Sequence, residues 1–136
     1  MSGLIFEWLP EIVVPYNPHL SKNRANMIGR GKFYKPLPHV KAKEEIEWEL
    51  ARVWKKEKDV ILNSDYNIEK IWLDLYVWKP RKNIDAINCL DAVADAVQNA
   101  LGFNDSMFGV YRINWEIDKI NPRLSISIGF EGNFRG

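Results

Sequence analysis

The run from Lys79 to Phe108, KPRKNIDAINCLDAVADAVQNALGFNDSMF, constrains the fold more than any other part of the chain. Ile87, Leu90, Ala94, Val97 and Leu101 recur at steps of three and four, the spacing of one buried helix face. Gly102 supplies a stop for that helix, and Asn104–Asp105–Ser106 a turn after it. Polar groups crowd the same run: Asp85, Asn88, Asp91, Asp95 and Asp105, preceded by Lys79, Arg81 and Lys82. Asn88, Asp91 and Asp95 share one side of the helix, away from the apolar stripe. Asp85 stands where a carboxylate caps the first free N–H groups. Asp105 can return to the others only through tertiary folding. Carboxylates beside a helix start, with cations next door, are the parts that hold a hard divalent cation against a phosphate. A solvated polar face opposite an apolar stripe needs no more than the same residues.

The flanking sequence suggests a two-layer α+β domain, a mixed β-sheet with two main helices packed on one face, residues 1–136 forming a single unit. Ile68–Trp78 alternates, with Ile71, Leu73, Leu75 and Val77 on one side, and ends before Pro80: a long strand. His39–Lys58 reads as a helix buried through Ile46, Leu50, Val53 and Trp54. Leu4–Leu9 forms a first strand broken at Pro10, and two more strands follow near Phe108–Ile117 and Leu124–Phe130. The tail EGNFRG is expected to fray.

Charge is unevenly spread. The net charge is only +1, yet no acidic residue occurs between Ile12 and Lys43, where Lys22, Arg24, Arg30, Lys32, Lys35, Lys41 and Lys43 all fall. Pro15, Pro18, Gly29, Gly31 and Pro36 make this stretch a long irregular loop, with a short hairpin arm at Gly31–Tyr34. Its cations can hold phosphates while Phe33 and Tyr34 stack on bases; equally, both aromatics can pack on the core. The single Cys89 excludes an internal disulfide and a cysteine-rich zinc site. With no basic leader in MSGLIFEWLP and no apolar run near the roughly 20 residues of a membrane span, a soluble, cytoplasmic protein is expected.

These motifs resemble those of the RusA-type Holliday junction resolvases, small endonucleases of bacteria and their phages. Pro18–His19–Leu20–Ser21–Lys22–Asn23–Arg24 matches the family's Pro-rich Ser-x-Asn stretch. Asp85–Ala86–Ile87–Asn88 stands in for its Asp-x-Asp-Asn at a helix start, Asp95 falls where the family has its helix Asp, and Asn104–Asp105–Ser106 replaces its acidic pair. Two positions depart: Ile87 stands where the family has its second Asp, and Asp91 where it has a helix Lys. The resemblance implies a homodimeric, Mg²⁺-dependent endonuclease (Mn²⁺ as substitute) that cleaves phosphodiesters in four-way or other branched DNA during recombination and repair. It further implies metal ligation by Asp85, Asp91, Asp95 and Asp105, and catalysis by Asp85, Asp91, Asp105 and Lys82. DNA contacts would come from Ser21, Lys22, Asn23, Arg24, Arg30, Lys32, Lys79 and Arg81. Either Asp91 replaces the carboxylate missing at Ile87 or it only faces water. In the second case the chain is a weak homologue that binds branched DNA without cutting. A third reading is a protein-interaction domain whose six Trp include an exposed contact patch.

Overall fold

The alternation in the middle of the chain produces the longest strand, β5 (Tyr66–Lys79). In this computed structural model, which describes residues 3–20, 27–29, 32–34 and 37–136, Ile71, Leu73, Leu75 and Val77 are fully buried on one side of it. β5 is the spine of a five-stranded sheet. It pairs antiparallel with β7 (Arg123–Phe134) on one side and parallel with β6 (Phe108–Ile117) on the other. The first two strands, β1 (Leu4–Trp8) and β2 (Ile12–Pro15), lie end to end along the far edge of β7, with Pro10 in the gap between them. A separate hairpin joins β3 (Met27–Gly29) to β4 (Lys32–Tyr34), consistent with the arm expected near Gly31–Tyr34.

Two helices cover one face of the sheet. The first, α1 (Leu37–Leu62), buries Ile46, Leu50, Val53 and Trp54 as its periodicity requires, and also His39 and Ile61. The second, α2 (Leu90–Leu101), follows a 3₁₀ turn at Ala86–Cys89. Gly102 ends α2 in the left-handed region (φ 84°), its N–H bonded to the Gln98 carbonyl. The core lies between helices and sheet, where Trp54 stacks on Phe130 and meets Phe103 edge-on. The expected two-layer α+β architecture is therefore present.

The apolar stripe of α2 is turned from its expected position. Val97 and Leu101 are buried, but Leu90 and Ala94 are only partly so, and Ile87 is 58% exposed. Ala92, Val93 and Ala96 take the innermost places. Ile87 belongs to the 3₁₀ turn, where side chains repeat every three residues, so the α-helical phase does not reach it. Beyond it, α2 packs on α1, and its buried residues join the core shared with the sheet.

The C-terminal tail does not fray as expected. Glu131–Phe134 continues β7, and the Arg135 N–H donates to the Asp65 carbonyl (2.6 Å) while its guanidinium donates to the Ser64 carbonyl. Gly132 sits where a Cβ would run into the Asn67 carbonyl of β5. Gly132→Ala is thus expected to lower stability by about 1–3 kcal/mol, read as a fall in the urea midpoint at unchanged slope.

Candidate site at the carboxyl end of the sheet

Strand register shows which residues share an end of the molecule. Trp78, near the end of β5, faces Arg123, and Arg123 in turn faces Pro15 at the end of β2. The chain therefore enters the basic loop at the carboxyl end of β5. Pro18–Leu20 forms a 3₁₀ turn there, and His39, in the first turn of α1, donates from Nδ1 to the His19 carbonyl (2.7 Å). With His39 only 2% exposed, that bond ties together the two flanks of the basic segment. Ser21, Lys22, Asn23, Arg24 and Arg30 lie outside the described residues, and of Lys32 only the backbone in β4 is described.

The loop leaving β5 opens a cleft of about 470 Å³ at the same end. Lys82, Asn83, Asp85 and Ile87 line one wall, and Ile113 and Trp115 of β6 the other. The carboxyl ends of parallel strands are where α/β crossovers leave such crevices. Asp85 Oδ1 accepts from the Ile87 N–H (3.1 Å), so the carboxylate caps the 3₁₀ turn while still facing solvent. Arg81 and Lys82 are exposed beside it.

Lys79 is a correction. Expected to contact DNA, it is 4% exposed. Its ammonium donates to the carbonyls of Lys82 (3.0 Å) and Ile84 (2.7 Å) and lies 3.6 Å from the centre of the Trp115 ring. The alternation of β5 points it to the helix side, where it folds the Pro80–Ile84 loop back over the strand end. A cation so enclosed cannot reach a phosphate.

Asp105 is a second correction. Because β6 runs parallel to β5 and starts opposite Ile71, Asp105 lies at the far end of the crossover from Asp85. The 12 residues of α2 span about 18 Å. Along β5, eight steps from Ile71 to Lys79 give about 26 Å. Asp105 instead sits beside the last turn of α2, its N–H donating to Gln98 Oε1 (3.1 Å). Asp91 lies in the first turn of α2 and Asp95 a turn further on, each engaged by a neighbouring group. Oxygen ligands must approach one Mg²⁺ to about 2.1 Å, which Asp85 and Asp105 of one chain cannot do together. Among the described residues, which include every Asp, Glu, His and Cys of the chain, no three such side chains assemble into a group able to hold a metal ion. The donor set of a single chain does not fit a resident Mg²⁺.

Sequence reading missed His39 and Trp115. Nothing local distinguishes a helix-starting His that bonds a distant carbonyl, or a strand Trp that roofs a lysine. Cys89 is inert: burial, with a smaller contribution from Asp85, pushes its thiol up to about 11. No described helix is long and apolar enough to cross a membrane.

No family model and no curated protein matches the chain. Among solved structures it is similar to 2C-methyl-D-erythritol 2,4-cyclodiphosphate synthase from Plasmodium vivax (TM-score 0.40, 7% identity, 99% of this chain and 98% of that one). It is also similar to IspF of Plasmodium falciparum in its CDP complex (TM-score 0.41, 8% identity, 99% and 96%). Likeness at this level carries no argument about fold or function.

Proposed function

We propose that the chain is a RusA-like protein that binds branched DNA, such as a four-way junction, through the carboxyl end of its sheet. One observation carries this reading: the anchored flanks of the basic segment and the exposed Arg81–Lys82 loop emerge at the same end of the fold. Cations concentrated there give phosphate contacts, and a junction offers phosphates from several strands at once. The test is binding of a labelled four-way junction against linear duplex across a salt series. Junction preference with a steep salt dependence supports the reading, and equal, salt-insensitive binding overturns it.

Metal-dependent cleavage is the second reading, favoured by Asp85 lining the same cleft as Lys82 and Asn83. The acidic groups of one chain do not converge, so a single chain offers no complete hydrolytic centre. Incubating the junction with Mg²⁺ and with Mn²⁺ decides it, since strand scission with either metal establishes a nuclease.

Charge at the two ends of α2 separates the acidic residues further. Asp85→Asn removes a negative charge beside the exposed cations, so junction binding is expected to tighten about two- to fivefold at low salt. Asp105→Asn, at the other end, is expected to leave affinity unchanged. Equal effects in a filter-binding titration would remove the distinction between the two ends.

A further inference from the structure

We propose that the helix-free face of the sheet carries a binding site for an alkylammonium group, in a hollow built around Ser125. The hollow measures about 90 Å³ and lies across the sheet from the Asp85 cleft. Along β5, Val77 and Lys79 point to the helices, so Tyr76 and Trp78 point away from them. Strand pairing assembles the site from four strands. Ser127 of β7 faces Asp74 of β5, and Asp74 faces Arg112 of β6. Glu11, one residue before Ile12 of β2, comes level with Ser127. In the next row Ser125 faces Tyr76, and Trp78 closes the end.

One buried group in the hollow lacks a partner. Ser125 is 5% exposed, yet among the described residues its hydroxyl makes no hydrogen bond. Among those residues no unpaired side-chain oxygen is sealed from solvent, so the Ser125 oxygen opens on the hollow it lines. Such a hydroxyl offers two lone pairs to a donor that enters.

The surrounding charges select a cation as that donor. Two carboxylates, Glu11 and Asp74, face one guanidinium, Arg112, which Asp74 already holds through Nε (3.0 Å) and Nη2 (2.9 Å). Arg123, over the Trp78 ring, is likewise paired with Asp118 (2.9 Å). An anion would therefore meet Glu11 with no cation to spare. The walls at the Trp78 end are aromatic rings rather than the six or more oxygens that a hard metal ion takes. Rings suit the methylenes of an alkyl stem and the positive charge at its end. An ammonium has three donors, and Glu11, Ser125 and Ser127 supply acceptors for them, while the Asp74 carboxylate keeps spare lone pairs. The hollow has room for that head and the first few methylenes behind it. The site does not rest on DNA binding, since a chain that bound no junction would keep it.

An NMR titration of isotopically labelled protein with n-butylammonium chloride, at constant ionic strength, tests the site. The Trp78 indole N–H and the Ser125 and Ser127 amides are expected to shift saturably, with a dissociation constant on the order of 1 mM for so small a ligand. The uncharged 1-butanol is expected to bind about tenfold more weakly. Glu11→Gln, a change at an exposed residue, should weaken binding about fivefold, and Ser125→Ala about threefold. Glu69→Gln, the same loss of charge near the other end of β5, should leave it unchanged. A second ligand, Nα-acetyl-lysine N-methylamide, carries the same ammonium on a polypeptide unit. If it binds as well as butylammonium, the site takes a lysine of a protein partner; if butylammonium alone binds, the site takes a free amine. No saturable shift at these residues, equal binding of 1-butanol, or equal weakening by Glu69→Gln would each overturn the site and leave the hollow to water.

Discussion

Lys79→Met is expected to lower stability by about 2–3 kcal/mol, a fall in Tm of about 10 °C for a domain of this size. Met keeps the length and apolar stem of Lys, so packing along β5 is retained and the loss isolates the ammonium. Two charge-assisted hydrogen bonds to the Lys82 and Ile84 carbonyls disappear, as does the contact with the face of Trp115. The loop they hold carries Lys82, Asn83 and Asp85, so the cleft wall is released along with the stability. Differential scanning calorimetry measures the first effect, and quenching of Trp fluorescence by iodide measures the second through the uncovered Trp115. A Met variant as stable as the wild type would mean that Lys79 is held only by its stem.

Replacing Lys22, Arg24 and Lys32 together by Ala is expected to weaken junction binding by two to three orders of magnitude near 50 mM salt. The slope of log K against log salt should shrink by about 2.7, close to 0.9 for each phosphate no longer neutralised. Thermal stability is expected to stay unchanged, since Lys and Arg are seldom part of a packed core. Fluorescence anisotropy over a salt series reads affinity and slope in one experiment. An unchanged slope would show that these cations only solvate the loop, leaving Arg81 and Lys82 to account for any binding.

The location of the acidic residues shows what sequence alone could not supply. A parallel partner for β5 forces the chain to cross back along α2 before β6 begins, and that crossover holds Asp85 and Asp105 apart. An antiparallel β6 would have started at the carboxyl end and brought them together. Both directions are compatible with the same local pattern, since strand periodicity reports burial and not orientation. Residue spacing likewise placed Asp91 and Asp95 on a common side of the helix without saying what that side would meet.

What the sequence by itself determined was local. The alternation Ile71, Leu73, Leu75, Val77 demanded a strand with one buried side, and Ile46, Leu50, Val53, Trp54 a helix with one buried face; both are found. Gly102, free to adopt the left-handed conformation, ends α2 where its position indicated. Tertiary structure decided the rest. It put Ala92, Val93 and Ala96 innermost in α2 in place of Leu90 and Ala94, and it extended β7 to Phe134 by pairing it with Tyr66. It also drew Lys79 inward beneath Trp115, a residue 36 positions away in the chain. The physical reason is common to all three. Side-chain period and turn chemistry act over one or two turns of chain, whereas burial of an edge, a helix flank or a cation depends on which distant segment arrives beside it.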